Sequence, residues 1–266
     1  MRKSGILLPV SSIPSRYGIG TFSKEAYEFV DFLKEAGQKL WQILPLGPTG
    51  YGDSPYQSFS TFAGNPYYID LVSLIESGYL TEAECNACDF GGSDEYVDYE
   101  KIYFSRFQIL RKAFDRAFGE KKLGESAEYA RFVKENADWL DDYALYMAVK
   151  NSFGGVCWAE WDEDIRMRKP AALAAYGEKY KTDVEFYRFQ QYLFYTQWLK
   201  LKKYANSRDI EIVGDIPIYV AFDSADTWAS PELFQLDEDG TPIAVAGCPP
   251  DAFSATGQLW GNPLYD

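Results

Sequence analysis

Two short apolar segments near the start of the chain flank an amphipathic helix. Residues 5–10 are mostly apolar, which is typical of a strand covered on both faces. From Ala26 to Ala36 apolar side chains recur on one helical face, with Ser23 at a capping position and Gly37 at a common stop position. Residues 39–46 form a second strand candidate. This order predicts a βαβ unit and therefore a parallel sheet.

The next clear strand candidate is far along the chain, at residues 210–220, and it follows a long amphipathic helix. Between about residues 72 and 180 the pattern is mainly helical. We therefore expect a helical insertion between the second and third strands. Three parallel strands are too few for a closed barrel, which needs eight, so the pattern predicts an α/β domain that is unfinished within these 266 residues.

Acidic residues outnumber basic ones by 40 to 26, which gives a net charge of −14. Such a surface repels phosphate groups, so we expect neither nucleic acid nor a membrane as a partner. The longest apolar runs are far shorter than the roughly 20 residues that a membrane span needs. The apolar run after the initial methionine is also too short for a signal peptide. These features predict a cytoplasmic protein.

The chain contains four cysteines and no histidine. Cys85 and Cys88 have a metal-like spacing, but a structural zinc site needs four ligands and no second close cysteine pair is present. Free thiols are the favoured interpretation, and we predict no metal site and no cofactor. Without histidine, this chain alone cannot form a Ser-His-Asp or Cys-His nucleophile system.

Tyr, Phe and Trp make up 17% of the chain, and many of the Tyr and Trp residues stand in segments rich in Gly, Pro and Ser. Loops lie at the surface, so core packing does not explain these rings. Surface aromatic rings can stack on flat apolar surfaces, such as one face of a pyranose. In parallel α/β folds, functional groups collect just after the C-terminal ends of the strands, and three such segments occur there.

The first two segments belong to the second and third strand candidates. Residues 45–67 place Tyr51, Ser54 and Tyr56 in a loop dense in Gly and Pro. We favour a binding loop there over a rigid turn that packs its own tyrosines. Asp215 stands inside the apolar third strand, where a carboxylate must be hydrogen-bonded or face a polar cavity. Its alternative role is to brace neighbouring loops through their backbone N–H groups.

The third segment, residues 247–265, has the composition of a shaped lid. It combines paired prolines and two glycines with an aromatic platform, Trp260, and three polar side chains, Asp251, Gln258 and Asn262. A plain structural loop is the alternative, but such a loop would not need so many hydrogen-bonding side chains. We therefore expect this segment to contact a ligand.

At these segments the sequence resembles the amylomaltases, which are bacterial 4-α-glucanotransferases of glycoside hydrolase family 77, related to the α-amylase superfamily. The resemblance rests on five motifs that run from one end of the chain to the other: GILLPVSSIPSRYGIG (5–20), KLWQILPLGPTGYGDSPYQSFSTFAGNPY (39–67), FGGVCWAEWDEDIR (153–166), IVGDIPIYVAFDSADTWASPELF (212–234) and GCPPDAFSATGQLWGNPLYD (247–266).

The resemblance implies an α/β fold, the N-terminal part of a (β/α)₈ TIM barrel with a mainly helical insertion between strands 2 and 3. On this basis we divide the chain into three parts. Residues 1–71 would hold the first barrel strands and a substrate loop, and residues 72–180 the helical insertion. Residues 181–266 would hold a barrel helix, strand 3 and the lid loop, with the barrel incomplete.

The resemblance also implies an activity and its substrates. Members transfer α-1,4-glucan segments between maltooligosaccharides by retaining double displacement, in which one carboxyl protonates the leaving oxygen and another forms the glycosyl-enzyme intermediate. The partners would be α-1,4-glucans, namely maltose, maltooligosaccharides and starch or glycogen fragments. A lid and stacking platforms that hold the acceptor would let transfer outcompete hydrolysis.

Roles for individual residues follow from the same motifs. Tyr56 would contact the sugar at the cleavage position, Asp215 would bind a hydroxyl of that sugar, and Ser54 would support the subsite. Asp251 and its neighbours would form the lid loop, with Gln258 and Asn262 as further substrate-binding side chains. Trp260 would be an acceptor-side platform, and Tyr51 would belong to a second glucan-binding groove.

The family nucleophile lies in an Arg-x-Asp-His type motif that these 266 residues do not contain, and the general acid would come later still. We therefore expect the nucleophile and the acid/base to lie beyond Asp266. This leaves no catalytic residue here and an isolated chain that is inactive. Two alternatives are a non-catalytic α-glucan-binding protein and an amylase-like hydrolase, against which the long lid argues.

Overall fold

A computed structural model describes residues 2–50, 52–93 and 95–266. The chain forms two compact units. The first comprises residues 1–46, 64–135 and 189–216, and the second comprises residues 47–63, 136–188 and 217–266. Within the described residues, no helix combines the length and the apolar character needed to cross a membrane. The expected cytoplasmic location stays a prediction.

The first unit contains a three-stranded parallel sheet in the order β1-β2-β3. Its strands are β1 (Gly5–Leu7), β2 (Leu40–Gln42) and β3 (Glu211–Val213). The parallel pairing agrees with the sequence pattern, whereas the helical insertion expected between the second and third strands stays a prediction. The expected βαβ unit is therefore present.

All three strands are shorter than the apolar runs that predicted them. After β1, Pro9 cannot donate a ladder hydrogen bond, and a 3₁₀ turn begins at Val10. After β3, regular pairing ends before Gly214, so the strand predicted over residues 210–220 was wrong beyond Val213. Asp215 consequently lies two residues past the strand rather than inside it, and it is exposed.

Helix α1 (Lys24–Glu35) packs with the expected face inward, since Ala26, Val30 and Leu33 are fully buried. Gly37 has a φ of +70°, a backbone conformation that favours glycine at a helix end. Ser23 does stand at the N-cap, but its side chain accepts no hydrogen bond from the helix backbone. Its hydroxyl instead donates to the Glu25 carboxylate, which explains the missing cap.

The remaining helices of the first unit surround the same core. They are α2 (Leu71–Glu76), α3 (Glu82–Asn86), α4 (Tyr99–Gly119) and α5 (Ala127–Glu135), and residues 189–207 of a long helix numbered α9 below. The buried side chain of Arg106 in α4 donates to Ile69 O at 2.8 Å, and burial lowers its pKa to about 10. Two backbone carbonyls, those of Ile69 and Tyr17, thus accept from the terminal nitrogens of this cation, whereas its buried Nε has no hydrogen-bond partner among the described residues.

The second unit combines helices with a small antiparallel sheet. Its helices are α6 (Ala137–Ser152), α7 (Glu163–Arg166), α8 (Pro170–Lys179), residues 181–188 of α9 (Lys181–Ser207) and α10 (Ala225–Ala229). Strands β4 (Val245–Cys248) and β5 (Gln258–Pro263) pair with each other. The segment predicted as a lid loop therefore includes two strands that pair with each other. The three-part domain division made from the sequence stays a prediction.

Candidate functional site

The loop that carries Tyr56 belongs to the second unit and is held by its own backbone. Ser54 Oγ accepts from Tyr56 N at 3.4 Å, and Ser54 O accepts from Gln57 N at 3.1 Å. These two contacts make a tight turn that leaves the Tyr56 side chain 44% exposed. Ser54 thus holds the turn of Tyr56 through both its hydroxyl and its backbone carbonyl. Tyr51 lies outside the described residues, so its predicted role stays a prediction.

The far end of this loop is anchored on the start of α10. Phe59 O accepts from Ala225 N at 2.8 Å, and the Asp226 carboxylate accepts from Thr61 N at 3.0 Å. Burial raises the pKa of Asp226, while its hydrogen bond from the Thr61 backbone opposes that shift. The loop is therefore fixed at this end.

Between β4 and β5 the chain makes a turn that Asp251 organises. Its carboxylate oxygen Oδ1 accepts from Phe253 N at 2.9 Å and from Ser254 N at 2.8 Å. Ser254 Oγ in turn donates to Gly257 O at 2.7 Å. Gly257 has a φ of +75°, and an added Cβ would lie 2.5 Å from Cys248 O, so only glycine fits there. One carboxylate oxygen of Asp251, Oδ1, thus shapes the turn.

The side chain of Trp260 is 41% exposed on β5 and is oriented by a neighbour on the same strand. Gln258 Oε1 accepts from Trp260 Nε1 at 2.9 Å. The Trp260 ring lies 6.5 Å from that of Tyr219, which in turn stacks on Tyr265 with ring centres 5.9 Å apart and planes 18° apart. We call Trp260, Tyr219 and Tyr265 the aromatic row.

Two members of the aromatic row were not among the residues singled out from the sequence. Tyr219 and Tyr265 both stand in the quoted motifs, and a tyrosine ring with a polar tip is as suited to a sugar as the chosen tryptophan. Their residue type alone could therefore have marked them as candidate sugar-binding residues. Their stacking depends on the pairing of distant segments, which sequence spacing alone does not reveal.

Residues 264–266 are hydrogen-bonded to residues 233–235 of the same unit. Asp266 N donates to Leu233 O at 3.0 Å, and Gln235 N donates to Leu264 O at 2.8 Å. Asp266 itself is exposed. These backbone contacts fix the position of Tyr265. The expectation that the nucleophile and the acid/base lie beyond Asp266 stays a prediction.

Asn262 differs from the other predicted lid residues because its side chain is only 4% exposed. Its Nδ2 donates to Val220 O at 2.7 Å, and its Oδ1 accepts from Gln57 Nε2 at 3.2 Å. Both ends of the amide are therefore engaged by protein groups. Asp251, Gln258 and Trp260 are exposed by contrast.

Asp215 belongs to the first unit, whereas the loop of Tyr56, the turn of Asp251 and the aromatic row belong to the second. Asp215 lines a depression of about 240 Å³ together with Lys202, Trp198 and the ends of strands β2 and β3. A carboxyl, an ammonium group and an aromatic ring thus line the same depression. Its predicted contact with the substrate stays a prediction.

A buried polar network in the second unit was also missed from the sequence. The Asp223 carboxylate accepts from the ammonium group of Lys150, from Tyr146 Oη at 2.6 Å and from Trp158 N at 3.3 Å. Burial and the neighbouring Asp223 charge raise the pKa of Tyr146 well above its usual value. The network ties helix α6 to the segment that follows Tyr219.

The first unit contains a larger cavity of about 730 Å³, lined by residues in the ranges 11–20, 85–93 and 95–99. None of the predicted site residues lines it. Cys85 and Cys88 lie in its wall as free thiols, and burial raises the pKa of Cys85 to about 11. Both thiols are therefore poor nucleophiles at neutral pH.

The sequence was compared with families and with known proteins. Residues 8–266 match the family model of glycoside hydrolase family 77, described as 4-alpha-glucanotransferase. The chain is 52% identical over 266 residues to a 4-alpha-glucanotransferase of Streptococcus pneumoniae serotype 4, and 51% identical over 265 residues to one of Thermus thermophilus. These alignments cover 100% and 99% of this chain and 52% of each relative.

Among solved structures, the amylomaltase from Streptococcus agalactiae in complex with acarbose superposes with a TM-score of 0.96 at 45% identity. That match covers 100% of this chain and 53% of the other. This chain thus spans about half the length of the relatives that it matches. The match over residues 8–266 shows that the chain belongs to the 4-alpha-glucanotransferase family, glycoside hydrolase family 77.

Proposed function

We propose that this chain supplies a glucan-binding surface of a 4-α-glucanotransferase. The observation that carries the proposal is the aromatic row, in which Gln258 orients Trp260 and two tyrosines continue the surface. Aromatic faces match the apolar face of a pyranose ring, and the tyrosine hydroxyl groups can meet the sugar hydroxyls. The acidic chain, with a net charge of −14, suits a neutral ligand.

Similarity to a sugar-bound relative supports the same ligand class. The Streptococcus agalactiae amylomaltase was solved with acarbose, and it is 45% identical to this chain. We infer that α-1,4-glucans such as maltooligosaccharides are the ligands here. In that arrangement the three parallel strands would form part of a (β/α)₈ barrel with a helical insertion between strands 2 and 3, in a protein that works in the cytoplasm.

Within this proposal the predicted residues keep distinct roles. Tyr56, exposed on its tight turn, would contact the sugar at the cleavage position, and Asp215 would bind a sugar hydroxyl. Trp260 would hold the acceptor, and the turn shaped by Asp251 would cover it. Holding the acceptor against these groups favours transfer over hydrolysis, because the sugar hydroxyl then outcompetes water.

The bond-breaking chemistry needs two further carboxyl groups, one as nucleophile and one as acid. The family motif for the nucleophile contains a histidine, and this chain has none. We therefore propose that these 266 residues do not supply both groups and that they bind glucan without transferring it. Incubating the pure chain with maltotriose should yield neither glucose nor longer oligosaccharides by chromatography, and turnover that copurifies with the chain would refute this part.

A binding measurement tests the proposed glucan-binding surface directly. Calorimetric titration with maltoheptaose should show saturable binding, and Trp260→Ala should weaken it about tenfold, which corresponds to about 1.4 kcal/mol. Phe104→Ala is the matched control, because Phe104 is an exposed aromatic on α4 in the first unit. Equal losses in the two variants, or no saturable binding by the unmodified chain, would contradict the proposal.

A further inference from the structure

Asn262 is a buried amide near the end of a strand whose earlier residues are exposed. Its side chain is 4% exposed, whereas Gln258, Leu259 and Trp260 on the same strand β5 are all exposed. A buried amide must find partners for both its N–H₂ group and its oxygen. The partners of Asn262 therefore show what this side chain holds together.

Those partners come from two distant segments of the second unit. The Nδ2 group donates to the backbone carbonyl of Val220 at 2.7 Å, and Oδ1 accepts from Gln57 Nε2 at 3.2 Å. Only a side chain with a donor and an acceptor side by side satisfies both contacts. A carboxylate would face the Val220 carbonyl without a proton, and an aliphatic side chain would leave that buried carbonyl without this donor.

Each contact lies one residue from a ring of the proposed glucan surface. Val220 follows Tyr219, the middle member of the aromatic row, and Gln57 follows Tyr56. Asn262 itself is two residues from Trp260. One amide thus connects the backbone next to Tyr219, the side chain next to Tyr56 and the strand of Trp260.

We propose that Asn262 is a positioning residue that fixes these three segments relative to one another and that its side chain touches no sugar. Gln57 is its partner on the Tyr56 loop. For the effect on glucan affinity the inference rests on the proposed function, but the mechanical coupling of the segments does not. The coupling can therefore be tested without any ligand.

The test is amide hydrogen exchange on the full 266-residue chain. Asn262→Ala should speed exchange about tenfold in residues 56–60 and in residues 220–223, and Gln57→Ala should do so in residues 56–60 alone. Gln197→Ala is the matched control, because Gln197 is a buried amide of the first unit that accepts from Asp70 N and donates to Asp70 O. It should leave both segments unchanged.

The double variant Gln57→Ala with Asn262→Ala provides the sharper readout. Because both single changes break the same bond, the double variant should exchange in residues 56–60 no faster than Asn262→Ala does. Additive effects, or faster exchange spread evenly over the second unit, would overturn the inference. Should Asn262→Ala not fold, Gln57→Ala decides alone, since unchanged exchange in residues 56–60 would then contradict the coupling.

Titration of the same variants with maltoheptaose separates the two proposals. If the unmodified chain binds, Asn262→Ala should weaken binding about tenfold although it removes no sugar contact. If the unmodified chain does not bind but exchange changes as expected, the proposed function fails and the positioning role stands. Binding by Asn262→Ala as tight as that of the unmodified chain overturns the link between position and affinity.

Discussion

Replacing Lys150 by methionine removes a buried cation that makes three hydrogen bonds. The ammonium group donates to Gly155 O at 2.9 Å, to Val156 O at 3.1 Å and to the Asp223 carboxylate. The side chain of Lys150 is 8% exposed and that of Asp223 is 31% exposed. Methionine preserves most of the apolar stem, so the change isolates the charge and its hydrogen bonds.

The magnitude follows from what the substitution leaves behind. Removing one partner of a fully buried ion pair costs about 3–5 kcal/mol, because the remaining charge loses its counter-ion. Asp223 is partly open to water and keeps its bonds from Tyr146 and Trp158, which reduces that cost. We therefore expect Lys150→Met to lower the free energy of unfolding by about 2–3 kcal/mol, which is at or below the lower limit of that range.

Urea denaturation followed by circular dichroism measures the change. Lys101→Met serves as control, because Lys101 forms an exposed pair with Asp89, and water screens such a pair so that its loss should change stability little. Combining Lys150→Met with Asp223→Asn should cost less than the sum of the single changes, since the two groups interact. A loss below about 1 kcal/mol for Lys150→Met, or strict additivity of the pair, would refute this reasoning.

Two further predictions concern the first unit. Gly64→Ala should lower the melting temperature by several degrees, because an added Cβ would lie 2.1 Å from the Phe194 ring. Gly92→Ala should not lower it, because a Cβ there meets nothing within 4 Å. Hydrogen bonds from Arg116 lower the pKa of Glu84 from 4.5 to about 2. The stabilisation of the fold by the ionised Glu84 is therefore complete above pH 4.5 and is lost as the pH falls through 2. The stability difference between Glu84→Gln and the unmodified chain should follow that course in urea titrations, and a difference that does not vary with pH would contradict the assignment.

The parallel sheet and the first helix could be predicted because local patterns determine them. The buried face of α1 has helical spacing, and Gly37 ends the helix in a conformation that favours glycine. Strand lengths could not be predicted, because an apolar run does not show where pairing stops. Pro9 interrupts one strand, and residues after Val213 continue apolar without a pairing partner in β2.

The candidate site was predictable in its residue types and not in its arrangement. Trp260, Tyr56 and Asp251 stand in Gly- and Pro-rich segments that composition alone marks as unusual. The burial of Asn262 depends on contacts with Gln57 and Val220, which are 205 and 42 residues away in the chain. No local pattern distinguishes such a buried amide from an exposed one.

The network around Asp223 was missed for the same reason. Lys150 lies 73 residues from it and Tyr146 lies 77 residues from it. In the sequence, Lys150 is one of many charges on a helix, where an exposed position is the usual expectation. Only the fold shows that the ammonium group is buried and fully hydrogen-bonded.

The central claim is that the aromatic row binds an α-1,4-glucan, and the indole N–H signals of the seven tryptophans test it most directly. Titration of ¹⁵N-labelled chain with maltoheptaose, followed by nuclear magnetic resonance, should shift the Trp260 indole signal saturably. Trp41, Trp158 and Trp228 are buried and donate their indole N–H groups within the protein, so their signals should stay in place. A Trp260 signal that does not move at saturating glucan would contradict the account.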